Sequence, residues 1–117
     1  MQIQVNAGQQ IKGSEELTQQ VEAVVEAALE RFGDRVTRVE VHLTDENSSA
    51  KSGSDDKRCL MEARLAGLQP ISVSHHGPSV AQALGGAVDK LEQTLDRTLG
   101  RMDDPKGRSS YGGDTSS

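Results

Sequence analysis

Residues 35 to 44, RVTRVEVHLT, set Val39, Val41 and Leu43 on one side of an extended chain and Arg38, Glu40, His42 and Thr44 on the other. Side chains of a strand alternate between faces, so the segment reads as a strand that is apolar on one face only. Three more segments share this grain: MQIQVN with Ile3 and Val5 inward, KRCLMEARLAG with Cys59, Met61, Ala63 and Leu65, and QPISVSHH with Ile71 and Val73. A sheet of one-sided strands must be covered on one face and leave the other to water.

Two amphipathic stretches supply the cover. In the first, Leu17, Val21, Val24, Val25, Ala28 and Phe32 recur at helical spacing, with Ser14 as the expected N-cap and Gly33 as a left-handed exit. Glu15 and Glu16 fall in its first turn, where the helix dipole favours acids. In the second, Leu84, Val88, Leu91, Leu95 and Met102 form the stripe, and Gly77-Pro78 opens the helix with proline at its first position. The pair Gly85-Gly86 lowers helix stability by about 2 kcal/mol relative to alanine, which implies either close packing or a local weakness there. The order is β-α-β-β-β-α, an α+β domain over residues 1–102 with a four-stranded sheet and two helices packed on one of its faces. Residues 45–56, DENSSAKSGSDD, are expected to form a long hairpin loop, and residues 103–117 a disordered polar tail, because neither has apolar surface to bury.

Composition excludes several classes of function. With one Phe, one Tyr and no Trp, there is no aromatic platform for single-stranded nucleic acid. A single cysteine allows no intramolecular disulfide and suits a reducing compartment. The amino terminus has neither a basic start nor an apolar run, and no window is apolar enough for a membrane span, so a soluble cytoplasmic protein without a membrane partner is expected. His75 and His76 are adjacent on a strand and point to opposite faces, so they do not share a metal ion with His42. Cys59 alternates inward as a small core residue, and no serine has a His and carboxylate at a recognisable spacing. No enzyme, cofactor or small-molecule substrate is expected.

The charges carry the remaining information. Acids outnumber bases by 18 to 13, a formal net charge of −5, which opposes phosphate binding unless the bases cluster. Along DKLEQTLDRTLGR, wound at about 100° per residue, they do: Asp89, Glu92 and Asp96 take one flank and Lys90, Arg97 and Arg101 the other. Such sorting is compatible with a ligand of one sign, with a neighbouring element of the other sign, or with a merely solvated face. Arg38, Arg58 and Arg64 extend the cationic set onto the open face of the sheet, unless they are paired across strands with Glu40 and Glu62.

Met1-Gln2-Ile3, Gly8, Ile11, Ser14, Leu17 and Val21-Glu22, then Val39-Glu40-Val41 and Val88-Asp89-Lys90-Leu91, resemble the ribosome hibernation promoting factor and ribosome-associated inhibitor A family in its short form. The resemblance spans residues 1–102. It implies a domain that lodges in the small ribosomal subunit, contacts rRNA and blocks the path of messenger and transfer RNA during stress. It also implies that Lys90 and Arg97 match basic positions of the last helix. Ala23, Val24 and Ala27 stand where the family carries bases on the first helix, Gln93 and Asp96 where further bases are common, and Gly85 where an acid is common. The alternative partner is a basic protein, met by the glutamate-lined first helix and the acidic loop without contact to RNA.

Overall fold

The computed structural model describes residues 1–8, 11, 15–46 and 57–103, with the side chains of 101–103 excepted. Its elements are β1 (Gln2–Ala7), α1 (Glu15–Leu29), a 3₁₀ segment (Glu30–Arg35), β2 (Val36–Asp45), β3 (Lys57–Leu65), β4 (Ile71–Gly77) and α2 (Val80–Asp103). The strands form a mixed four-stranded sheet in the order β1-β2-β3-β4. β1 runs parallel to β2, a pairing that needs a crossover, and α1 is that crossover. The β2–β3 and β3–β4 pairs are antiparallel.

Alternation decides which face is covered. Val39, Val41, Cys59, Met61 and Ala63 are completely buried beneath the helices. From α1, Val21, Val25 and Leu29 are buried against them, and from α2 so are Leu91 and Leu95. All the buried residues are apolar among those described. Fully burying a leucine or valine stabilises by about 1.5–3 kcal/mol, so a layer of mostly aliphatic side chains, with Phe32 the one aromatic among the buried residues described, holds sheet and helices together.

Three local details differ from the sequence expectation. The first helix ends at Leu29 rather than at Phe32, and the chain tightens into the 3₁₀ segment, where Gly33 takes φ +59°. That turn carries Phe32 into the core at 8% exposure. Pro78 is not the first residue of α2. Ser79 caps the helix instead, its Oγ accepting from the Gln82 amide at 3.1 Å, so proline lies just before the cap. Val24, counted with the apolar stripe of α1, is 42% exposed. The expected Ser14 cap, most of the 45–56 loop and the tail beyond Asp103 lie outside the described residues.

Gly85 and Gly86 have opposite surroundings. A Cβ on Gly86 would overlap the ring of His75, which β4 directs inward against α2, whereas a Cβ on Gly85 would meet nothing within 4 Å. Close packing is thus the reason for one glycine and not for the other.

Candidate nucleic-acid interface

The register of the sheet arranges its open face in cross-strand rows. One row is Gln2, Arg38 and Arg64; the next is Gln4, Glu40, Glu62 and Ser72. Then come Asn6, His42, Leu60 and Ser74, followed by Thr44, Arg58 and His76. Arg38 and Arg64 are direct cross-strand neighbours, while Arg58 lies six residues along β3 from Arg64, about 20 Å away. A row of acids separates them. The three sheet arginines therefore face the same way but do not form one stripe.

Their partners differ as well. Arg38 donates from Nε to Glu40 Oε2 at 3.0 Å and from its two terminal nitrogens to Gln2 Oε1 at 3.2 Å and to Gln4 Oε1. Its salt bridge runs along β2 and not across strands, and Glu62 forms no ion pair among the described residues. Hydrogen bonding from Arg38 holds the Glu40 carboxyl below the usual carboxylate range, and His42, at 3.5 Å, adds to the effect. Arg58 approaches Glu46 at 3.9 Å, and Glu46 also meets His76 Nε2 at 2.9 Å. Arg64 is exposed and, among the described residues, its guanidinium has no acid partner.

On α2 the sorted charges find different neighbours. Asp96 accepts both terminal nitrogens of Arg31, at 2.7 and 3.0 Å, a fork from the end of the α1 arm to the far end of α2. Arg31 also stacks on Phe32, 4.3 Å from the ring centroid. The hydrogen bond with Arg31 lowers the Asp96 pKa and raises that of Arg31. For both Asp96 and Glu40 the folded-state pKa is depressed, so their contribution to stability is present above the ordinary carboxylate value and lost as the pH falls through the folded one. The acidic flank of α2 thus answers to a cation within the protein.

The basic flank turns the other way. Lys90 Nζ donates to the Ser74 carbonyl of the edge strand β4 at 2.8 Å, leaving its remaining N–H groups outward. Arg97 is exposed and has no acid partner among the described residues; the side chain of Arg101 is not described. α2 follows β4 and packs back along it, so its C-terminal half returns to the end of the sheet where β3 finishes and β4 begins. That end also carries Arg38 and Arg64. Of the six arginines and lysines picked from the sequence, Arg64, Arg97 and Arg38 share one end of the molecule, Lys90 lies midway along α2, and Arg58 stands at the opposite end. Arg35, whose carbonyl accepts from the Ala66 amide at 3.0 Å, stands at the same end as Arg64; it opens the stretch 35–44 but was not among the residues picked from it.

Among the described residues no group of three or more His, Cys, Asp or Glu could hold a metal ion, and no helix is long and apolar enough to cross a membrane. Cys59 is fully buried, and burial pushes its thiol up to about 12. The neutral thiol is favoured in the fold, so its contribution to stability holds below the ordinary thiol value and is lost as the pH rises towards 12. Native protein is expected to resist iodoacetamide at neutral pH at least about a thousandfold relative to denatured chain, whose thiol is open; equal labelling rates would place Cys59 outside the core.

The described residues thus form an α+β domain with a largely polar open sheet face and an α2 flank that carries the exposed Lys90 and Arg97. The chain belongs to the sigma 54 modulation protein / S30EA ribosomal protein family, whose model matches residues 4–103. Its fold is similar to that of the Thermus thermophilus Protein Y N-terminal domain, with a TM-score of 0.65 at 23% identity, covering 84% of this chain and 99% of that one. A ribosomal subunit interface protein from Coxiella burnetii is similar as well, with a TM-score of 0.62 at 17% identity over 86% of this chain and 99% of that one. No curated protein matches the sequence.

Proposed function

We propose that this chain is a ribosome hibernation factor of the short type, which binds the small ribosomal subunit through rRNA and inhibits translation by occupying the channel for messenger and transfer RNA. The observation that carries this reading is the family match across residues 4–103. The structure adds a physical route. Arg64 and Arg97 have no acid partner among the described residues and stand at one end of the domain, with Arg38 held rigid beside them by Gln2, Gln4 and Glu40. Phosphate contact needs local cations, not a positive total. The two largest acidic groupings, the α1 glutamates and Asp89, Glu92 and Asp96, lie on the helix layer away from the open sheet face.

Affinity capture of the tagged protein from stationary-phase lysate, with and without nuclease, tests the proposal. Recovery of small-subunit RNA, lost on nuclease treatment, is the expected result. A nuclease-resistant protein partner with no ribosomal RNA would overturn it in favour of the protein-binding alternative.

A further inference from the structure

A second surface is built into the opposite side of the domain. Between the N-terminal halves of α1 and α2 runs a groove of about 760 Å³, floored by Leu17, Val21, Val24, Val80, Leu84 and Gly85. Gln20 is its one polar lining residue among those described. Val24 is one of two large hydrophobic side chains exposed among the described residues. Gly85 is the more telling feature. It weakens α2, yet nothing within 4 Å requires its missing side chain. A glycine that intramolecular packing does not demand leaves room for another chain to approach the helix backbone.

The rim indicates which chain. Glu16 stands beside Gln20 at one wall. Asp89 and Glu92 continue the other wall beyond Gly85, and Glu92 is close enough to Arg31 to raise its pKa. Arg31, just past the C-terminal end of α1, is already forked onto Asp96. Lys90 and Arg97 fall on the opposite flank of α2. An apolar floor two helical turns long with an acidic rim complements an amphipathic helix bearing two or three large apolar residues at i, i+3 or i+4, and i+7, with lysine or arginine on either side.

We propose that the groove between α1 and α2 is a docking site for a cationic amphipathic helix of a protein partner. The site is separate from the arginine-bearing end, so both surfaces can be engaged at once.

The test uses the full chain, labelled with ¹⁵N, and a synthetic leucine–lysine peptide of about four helical turns, with a leucine–glutamate peptide of the same pattern as control. Binding of the lysine peptide should move the amide signals of Gln20, Val21, Val24, Ala81 and Gly85, and the glutamate peptide should move none. Gly85→Leu fills the groove at a site with free space, so it should raise the melting temperature by a few degrees while weakening the peptide at least about tenfold. Val24→Asp should weaken it similarly. Glu22→Gln with Glu26→Gln, on the flank of α1 turned away from α2, should change affinity less than about twofold. The proposal is overturned if neither peptide binds, if both bind alike, or if the shifts follow Glu22 and Glu26. It is equally overturned if the same variants abolish a dimer of this chain in sedimentation, or if binding appears only after residues 104–117 are removed, since the occupant would then be a second copy or the chain's own tail.

Discussion

Reversing Arg64 and Arg97 together to glutamate will lower affinity for isolated small ribosomal subunits at least about a hundredfold. Each substitution removes a charge-assisted contact worth roughly 1.5 kcal/mol or more and sets an acid against phosphate, and about 1.4 kcal/mol is a factor of ten. Neither guanidinium has an acid partner among the described residues, and both side chains are exposed, so circular dichroism and melting temperature should stay near those of the parent. Arg31 supplies the control. It is an arginine too, but its charge is spent on Asp96 at 2.7 Å, so Arg31→Gln should change subunit affinity less than about threefold while weakening the link between the two helical arms. If Arg31→Gln and the double reversal weaken binding equally, total charge and not its arrangement governs the association.

The second large effect is a change of sign between neighbours. Gly86→Ala should destabilise by roughly 1–2 kcal/mol even though alanine favours a helix by about 1 kcal/mol over glycine, because the new Cβ would overlap the His75 ring and overpacking costs about 1–3 kcal/mol. His75 sits opposite Cys59 on β3 and faces α2 from the edge strand, so its ring must turn or shift to admit the new carbon. Gly85→Ala, one residue earlier, should instead stabilise by about 0.5–1 kcal/mol, since nothing lies within 4 Å of its added carbon. In a His75→Ala background, Gly86→Ala should become stabilising too. Denaturant unfolding of the four single and double variants reads all of this directly. A destabilising Gly86→Ala that persists without the imidazole would remove close packing as its cause.

These two glycines also mark where a sequence stops being informative. Period-two alternation separated inward from outward residues through β3 and along β2 from Arg38 onward, and sent His75 and His76 to opposite faces, because that geometry is local to the strand; the register shift between Val36 and Arg38, which leaves Val36 buried, breaks it. What a Cβ at residue 85 or 86 would touch depends on how α2 lies on β4, and no local pattern encodes it. The sorted charges of α2 were visible as a pattern, but the partner of Asp96 is Arg31, 65 residues earlier. Spacing named the flank and not what faced it. Val24 looked like a core residue because helical periodicity does not report how far two helices splay. The start of α2 moved to Val80 because a serine hydroxyl satisfying an orphan amide outweighed the preference of proline for the first turn. Arg38, Arg58 and Arg64 were correctly assigned to one face, yet their separation into rows by Glu40 and Glu62 required the register.

The central claim is that a chain of formal net charge −5 meets RNA through a few cations left unneutralised at one end. Arginine-selective modification of the free and the small-subunit-bound protein, read residue by residue by mass spectrometry, tests it most directly. The account predicts that Arg64 and Arg97 lose reactivity on binding while Arg31 keeps it; protection of Arg31 with Arg64 and Arg97 still reactive would contradict it.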